Sequence, residues 1–216
     1  VADMSEDLFL PSDYSKLSEI VVPRRHNMEM PFFPANSSEI DLAPNVIGEG
    51  TGVCVSPYTH TEEGYDIENM EAQWAQTFRL INKIRHHKEE ILRYEAVGLE
   101  DAEVVAVAYG ATARTVKTAV LEARNQGIKA GFLRLISLWP FPDELFEQDL
   151  NYLVCELNYD GQLVREVMRA APNRESVHFM GKSGELHTVA EVCTALDSVA
   201  KHQRMPEQAY IWTEVS

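Results

Sequence analysis

The clearest pattern of apolar and polar positions along the chain begins at Asp66. Charged and amide side chains occupy one side of the segment that follows, and apolar side chains occupy the other. The apolar positions recur at spacings of three and four residues: Ile67, Met70, Trp74, Phe78, Ile81 and Ile84. This period predicts a long amphipathic helix that begins after an Asp66 N-cap and runs to about Tyr94.

A different pattern follows, in which short apolar runs alternate with segments of helical period. Four runs have the length of buried strands, namely residues 104–108, 130–136, 152–155 and 177–180. Helices are predicted over residues 112–125, 143–148, 163–171 and 188–201. Gly127 ends the first helix, Asp143 caps the second, and a capping box of Thr188 and Glu191 opens the last. The alternation predicts an α/β domain over about residues 99 to 202, with a mostly parallel sheet and helices on both faces.

Residues 11–64 are rich in proline and glycine and show no sustained period. They are therefore predicted to form a loop-rich segment with at most short edge strands. The chain begins at Val1 without an initiating methionine, and we expect it to be a fragment of a longer polypeptide.

Composition narrows the class of protein. An apolar content of 45% in 216 residues supports a folded globular chain. Nineteen basic against thirty-four acidic residues give a net charge of -15, which argues against nucleic-acid binding through a basic surface. The three cysteines are far apart and form no CxxC motif, so we expect no disulfide framework and no iron–sulfur cluster held by this chain alone. We expect the protein to work in a reducing cytoplasm. Neither a membrane span nor a signal peptide is expected from the apolar runs or the acidic first residues.

Two glycine-containing segments resemble phosphate or anion sites. GEGTG (48–52) has no third glycine in the required place and lacks the flanking strand and helix, so we interpret it as a turn. The second segment joins a buried strand to the helix over 112–125, and its amides face the carboxyl edge of the predicted sheet. Gly110, Thr112 and Arg114 are therefore candidates for an anion-binding or partner-binding edge.

The loop HTEEGYD (60–66) contains side chains of the types that bind metals, but their spacing matches no standard metal loop. No metal site is predicted. His86 and His87 are expected on the solvated side of a helix. No Ser–His–Asp or Cys–His arrangement can be inferred, so no catalytic residue is assigned.

A cluster of polar side chains follows the predicted strand 152–155. Its members are Glu156, Asn158, Asp160 and Gln162, and Gly161 lies among them. The cluster is either the chemistry of a strand-to-helix turn or a site that meets a ligand or a partner. Both alternatives remain open from the residues alone.

An ordered series of motifs is similar to the C-terminal, transketolase-like domain in the alpha subunit of 2-oxoacid:ferredoxin oxidoreductases. The series comprises AYGATARTVKTAVLEARNQGIKAGFLRLISLWPFPDE, VCELNYDGQLVREV, the THTEEGYD loop and FRLINKI (78–84). Residues 1–22 resemble the exit of the preceding domain of that family. The resemblance implies three segments: residues 1–65 as the end of that domain and a linker, 66–98 as a long helix, and 99–216 as the α/β domain.

The resemblance also implies an activity. Such enzymes convert a 2-oxoacid and coenzyme A to an acyl-CoA and CO2, with thiamine diphosphate and magnesium as cofactors and electrons passing through iron–sulfur clusters to ferredoxin. The family's cofactors lie in other domains and in a beta subunit, so this chain is expected to bind none alone. We expect it to be inactive by itself, to form part of an oligomer, and to supply a structural and subunit-docking domain. The WPFP and ELNYDGQ motifs favour the 2-oxoglutarate type.

The resemblance assigns roles to two groups of residues. His60, Glu62, Gly64 and Tyr65 match a loop near the substrate, although Thr61 replaces the usual aspartate there. Glu156, Asn158, Gly161 and Gln162 match a turn that we interpret as an interface or helix-start determinant, although Asp160 is inserted. Two alternatives share the fold: a non-catalytic interaction domain, and the C-terminal domain of a transketolase or 2-oxoacid dehydrogenase E1 chain.

Overall fold

Short apolar runs of the chain pair into a five-stranded sheet in the computed structural model, which describes residues 58–60 and 65–201. The strands are β1 (Tyr94–Val97), β2 (Val104–Ala108), β3 (Ala130–Leu135), β4 (Asn151–Glu156) and β5 (Val177–Gly181). Their spatial order is β1-β3-β2-β4-β5. Three neighbouring pairs are parallel, and β1 pairs with β3 in the antiparallel direction. The predicted fold class, a mostly parallel α/β sheet, is confirmed.

The chain divides into two compact units, with the boundary between Glu90 and Ile91. The described part of the first unit contains helix α1 (Met70–His86) and most of the short helix α2 (Lys88–Ile91). The second contains the sheet with helices α3 (Thr112–Asn125), α4 (Leu163–Ala170) and α5 (Val189–Ala200). Two 3-10 helices, Asp143–Phe146 and Arg174–Ser176, complete it.

Helices cover both faces of the sheet because its central strands are apolar on both sides. All five residues of β2 are buried. Helices α3 and α5 pack on one face through Val116, Val120 and Leu196, among others. Helix α4 and the first 3-10 helix pack on the other face, where Phe146 stacks on Phe141 at 5.3 Å between ring centroids. Four apolar side chains of α3 are fully buried: Val116, Ala119, Val120 and Ala123.

Helix α1 is shorter than the sequence pattern predicts. It begins at Met70 because Asn69, not Asp66, is its N-cap, with the Asn69 Oδ1 accepting from the backbone N–H groups of Glu71 and Ala72 at 2.8 and 3.2 Å. Asp66 instead forms an isolated antiparallel bridge with His60. The helix is interrupted at His87, the C-cap, and helical structure ends at Ile91. The apolar side chains Met70, Trp74, Phe78 and Ile81 are exposed.

Strand β1 was not predicted, because its four residues alternate between exposed and half-buried and form no apolar run. Its register against β3, with Tyr94 opposite Leu135, is fixed by long-range pairing that local sequence does not reveal. Residues 94–97, expected to end the long helix, therefore form an edge strand of the sheet. The domain boundaries predicted for the whole chain otherwise stay a prediction, and residues 1–57, with the GEGTG turn and Cys54, lie outside the described part.

The remaining predicted elements agree with the structure, with one local exception. Each predicted strand and helix of the α/β domain lies within a few residues of its expected bounds, and Gly127 follows α3 with a φ of +88°. Asp143, however, is not an N-cap: Pro142 holds that position, and the turn is a 3-10 helix. The Asp143 carboxylate instead forms an ion pair with Arg169 at 2.6 Å.

The predicted capping box at the start of α5 is confirmed. The Thr188 Oγ1 accepts from the Glu191 backbone N–H at 3.3 Å, and the Glu191 carboxylate accepts from the Thr188 backbone N–H at 2.7 Å. Lys182, just after β5, also donates to Glu191 at 2.9 Å. Hydrogen bonds to Thr188 and the charge of Lys182 lower the pKa of Glu191 to about 2. The same carboxylate thus caps α5 and ties it to the end of β5.

This network predicts a pH-dependent stabilisation. Because the folded-state pKa lies below the ordinary value of 4.5, the contribution is fully present above pH 4.5 and is lost as the pH falls toward about 2. Glu191→Gln should therefore lower the free energy of unfolding by about 1 kcal/mol at neutral pH, after allowance for solvent screening of a partly exposed group. Urea unfolding of both proteins from neutral pH downward should show the difference shrinking. Glu185→Gln, which removes a carboxylate 3.5 Å from the same lysine, is the matched control and should have little effect.

Candidate functional site

The carboxyl end of β4 is built around the side chain of Glu156, which is fully buried. Its carboxylate accepts hydrogen bonds from three consecutive backbone N–H groups, those of Gln162 at 3.0 Å, Leu163 at 3.0 Å and Val164 at 2.9 Å. These amides lack partners inside the helix and lie at the positive end of its dipole. Glu156 therefore caps α4 from the preceding strand, while the N-cap residue Gln162 makes no capping bond with its own side chain.

The turn between β4 and α4 is shaped by Asn158 and Gly161. The Asn158 Nδ2 donates to Glu156 at 2.9 Å, and its Oδ1 accepts from the Gly161 backbone N–H at 2.6 Å. Gly161 has a φ of +68°, and a Cβ there would lie 2.5 Å from the Val164 Cγ1, so no larger residue fits. Asp160 takes no part in the turn bonds and pairs with Arg165. The polar cluster is thus in large part cap and turn chemistry, as one of the two alternatives proposed.

Tyr109, the first residue after β2, meets the same carboxylate. Its hydroxyl donates to the Glu156 Oε2 over 3.5 Å. The connections from β2 to β3 and from β4 to β5 leave in opposite directions along the sheet. The carboxyl ends of β2 and β4 therefore flank the topological switch point, where open α/β sheets bind ligands. Here that point is occupied by a carboxylate whose lone pairs are taken up by the protein's own donors.

The electrostatics of this cluster favour a structural role over acid–base or nucleophilic catalysis. Burial, aided by the Glu156 charge, raises the pKa of the Tyr109 hydroxyl, which stays protonated at neutral pH. Burial next to the same charge raises the pKa of the Cys155 thiol to about 12. A thiol with that pKa is not a nucleophile at neutral pH.

Gly110, Thr112 and Arg114 lie beside Tyr109 at the start of α3. Thr112 is buried, whereas Gly110 and Arg114 are exposed. The N-cap residue of α3, Ala111, makes no side-chain hydrogen bond, unlike the Glu156 arrangement at α4. A role for these three residues in binding an anion or a partner stays a prediction.

The predicted substrate-proximal loop belongs to the first unit and is described only in part. His60 is buried, and its backbone N–H donates to the Gln76 side chain at 3.3 Å. Tyr65 is exposed, while Glu62 and Gly64 lie outside the described residues. Among the residues that the structure describes, no group of three His, Cys, Asp or Glu side chains could hold a metal ion. The role of this loop stays a prediction.

The carboxyl edge of the sheet also presents exposed apolar side chains. In the described part of the second unit, six of the seven large hydrophobic residues that are exposed lie at the ends of strands on this edge. They are Tyr94, Ile136, Leu138, Trp139, Tyr159 and Leu186, which we call the carboxyl-edge rim. The seventh, Leu121, lies on α3. Isolated exposed apolar residues are ordinary, but their concentration along one edge is typical of an interaction surface.

Ser137, which holds the backbone beside this rim, was not identified from the sequence. The Ser137 Oγ donates to the Ile91 carbonyl at 2.6 Å and accepts from the Arg93 backbone N–H at 3.1 Å. These bonds join the segment after β3 to the segment before β1, far apart in sequence. The contact of Tyr109 with Glu156 was not predicted either. One indication of it in the sequence was a tyrosine directly after a fully apolar strand.

Comparisons with known proteins agree with this geometry. Residues 102–192 match the family described as pyruvate:ferredoxin oxidoreductase core domain II. A 2-oxoglutarate synthase subunit KorA from Methanocaldococcus jannaschii is 41% identical over 150 residues, which are 68% of this chain and 40% of that protein. The KorA subunit of Methanothermobacter thermautotrophicus is 32% identical over 203 residues, 89% of this chain and 52% of that protein.

A solved structure shares the fold. It is a 2-oxoglutarate:ferredoxin oxidoreductase from Magnetococcus marinus with 2-oxoglutarate, coenzyme A and succinyl-CoA bound. The TM-score is 0.64 at 18% identity, covering 76% of this chain and 30% of that one. The sheet unit therefore has the fold of a domain of that oxidoreductase.

Residues 102–192 thus match the pyruvate:ferredoxin oxidoreductase core domain II model, and the chain is similar to KorA subunits of 2-oxoglutarate synthases. The resemblance predicted from the motifs is confirmed. The chain spans between 40% and 52% of the length of these two relatives. In the described residues, no helix is long and apolar enough to cross a membrane.

The capping role of Glu156 can be tested against its exposed neighbour. Glu156→Gln replaces a charged acceptor with an amide whose NH2 group faces backbone donors, and should lower the free energy of unfolding by about 2–4 kcal/mol. Gln162→Ala removes an exposed side chain that makes no capping bond, and should change it by less than about 0.5 kcal/mol. Urea unfolding followed by circular dichroism measures both. Equal losses in the two variants, or none in Glu156→Gln, would contradict the capping role.

Proposed function

We propose that the chain is part of the alpha subunit of a 2-oxoglutarate:ferredoxin oxidoreductase. The complex would convert 2-oxoglutarate and coenzyme A to succinyl-CoA, CO2 and a proton, and pass two electrons to ferredoxin. The KorA relatives and the match of residues 102–192 support the class of enzyme. The same relatives favour 2-oxoglutarate over other 2-oxoacids.

The cofactors of this reaction belong to the rest of the complex in our proposal. Thiamine diphosphate with magnesium supplies the stabilisation of a carbanion, and an iron–sulfur cluster carries electrons; a beta subunit holds both. The described residues fit this division of labour, because their most buried carboxylate, Glu156, is committed to capping α4. The loop of His60 and Tyr65 contributes to the surroundings of the substrate, and the complex works in the cytoplasm.

The contribution of this chain is a structural domain that docks on other subunits through the carboxyl-edge rim. The observation that carries this proposal is the concentration of exposed apolar side chains at one edge of the sheet. Apolar side chains of this size become stabilising when a partner removes them from water, by about 25 cal/mol per Å2 buried. Hydrogen bonds through Ser137 and Glu156 hold the backbone on both sides of the rim, so little ordering is needed on docking.

The activity is tested by reconstitution. The full gene that encodes this chain and the genes beside it should be expressed together, and the purified complex assayed for reduction of a viologen dye. We expect reduction that requires both 2-oxoglutarate and coenzyme A, and a co-purifying subunit that binds thiamine diphosphate. Turnover with a lipoyl domain in place of the dye would assign the chain to a 2-oxoacid dehydrogenase instead. A stable assembly with neither activity would make it a non-catalytic interaction domain.

The docking rim is tested by paired surface variants in the same complex. Ile136→Ser with Leu186→Ser removes two exposed rim side chains and should weaken subunit association about tenfold or more, with activity falling in proportion. Leu121→Ser, at an exposed position outside the rim, is the matched control and should leave association unchanged. Analytical ultracentrifugation measures association. Loss of turnover with association intact would contradict the docking role.

A further inference from the structure

Residues 182–188 connect β5 to α5 at the carboxyl edge of the sheet, and His187 is the only one of these seven residues that is buried. It is 3% exposed, whereas the preceding residue, Leu186, is 48% exposed and belongs to the carboxyl-edge rim. One buried side chain in an otherwise solvated loop limits where the loop backbone can lie. His187 therefore helps to fix the position of Leu186 in the rim.

The two ends of this loop are held by the same carboxylate. The Lys182 side chain donates to Glu191 at 2.9 Å, and the Thr188 backbone N–H donates to Glu191 at 2.7 Å. Residues 183–186, between these ends, are all exposed. The contact that holds the middle of the loop against the sheet is therefore the buried imidazole of His187.

In the described chain, the His187 ring makes a single hydrogen bond. Its Nε2 lies 3.1 Å from the Met180 carbonyl oxygen, and a carbonyl can only accept, so Nε2 carries the proton. The other ring nitrogen, Nδ1, is closed off from solvent, and no group bonds to it there. The ring is thus held as a neutral tautomer, and a second proton, on Nδ1, would be buried without an acceptor.

The charged groups that act on this ring come from the loop and from α5. Lys182 disfavours a second positive charge on His187, and the Glu191 carboxylate favours it. Glu191 is already paired with Lys182, which also lies 3.5 Å from Glu185. Burial is the largest influence, and it lowers the pKa of His187 below its ordinary value of 6.5.

We propose that His187 is a pH-sensitive latch for residues 182–188. The neutral imidazole holds the loop against β5. When Nδ1 takes up a proton, the charged ring leaves its buried position for water, and the loop opens together with Leu186. Acid would then weaken docking through the rim; this consequence rests on the proposed docking function, whereas the latch itself does not.

The direction of the pH dependence follows from the lowered pKa. The neutral ring stabilises the closed loop fully above pH 6.5, and this contribution is lost as the pH falls through the folded-state pKa of His187. Between these two values, uptake of one proton raises the ratio of open to closed loop toward about tenfold per pH unit. The Glu191 carboxylate, with a pKa of about 2 in the folded state, stays charged in this range.

The latch is tested by NMR and hydrogen exchange on the full chain between about pH 7.5 and 5. We expect the ring of His187 to titrate below pH 6.5. Amide exchange in residues 182–188, corrected for the intrinsic effect of pH, should accelerate about threefold or more. His187→Gln keeps an N–H for the Met180 carbonyl but cannot titrate, and should abolish the acceleration. His86→Gln, at an exposed histidine of α1, is the matched control and should leave it unchanged.

Two results on wild type alone would overturn the latch, whether or not His187→Gln folds. One is a His187 ring that titrates at or above pH 6.5, and the other is exchange in residues 182–188 that does not respond to pH. Acceleration that persists in folded His187→Gln would assign the response to another group and would equally overturn it.

The link to docking is tested in the reconstituted complex by analytical ultracentrifugation at about pH 7.5 and 5.5. Association should weaken at the lower pH by a factor about threefold larger in wild type than in His187→Gln. Equal weakening in both would overturn the control of docking by His187. Failure of the docking rim itself is a separate result, since it appears at neutral pH as unchanged association when Ile136 and Leu186 are replaced by serine.

Discussion

The arrangement of the sheet unit depends on one buried charge. Moving a carboxylate out of water costs several kcal/mol unless partners replace its hydration, and Glu156 obtains these partners from three amides of α4, from Asn158 and from Tyr109. Its backbone carbonyl also accepts from the Lys182 N–H after β5. One residue thus fixes the start of α4, the turn before it and the end of the neighbouring strand.

This charge determines what the carboxyl edge can do. In open α/β sheets, a ligand usually binds at the switch point, where the connections from two neighbouring strands leave in opposite directions. Here a residue of β4 fills it, and the acceptors of that residue are satisfied internally. The groups that this edge presents for outside contact include the apolar side chains of the rim. An edge of this kind suits contact with another protein better than chemistry on a small substrate.

The sequence predicts the elements whose signals are local. Buried β2 reads as an uninterrupted apolar run, and the Thr188–Glu191 capping box is a contact three residues apart, so both follow from the residues alone. Strand β1 cannot be predicted from local sequence, because its conformation depends on pairing with β3, some forty residues away. The N-cap at Asn69 was misplaced to Asp66, since both residue types cap helices equally well and only the bridge to His60 distinguishes them.

The candidate site divides in the same way. The sequence allowed two interpretations of Glu156, Asn158 and Gly161, and a turn or helix start was one of them. The sequence did not predict that the Glu156 carboxylate is buried. A glutamate after a strand is usually solvated, and its burial depends on the approach of α4 and Tyr109, which only the fold provides. The exposure of Ile136, Leu138 and Trp139 was equally hidden, because apolar residues next to a buried strand resemble its continuation. A net charge of -15 adds the final constraint: like-charged copies repel one another, so an apolar rim on this chain favours a partner that is less acidic.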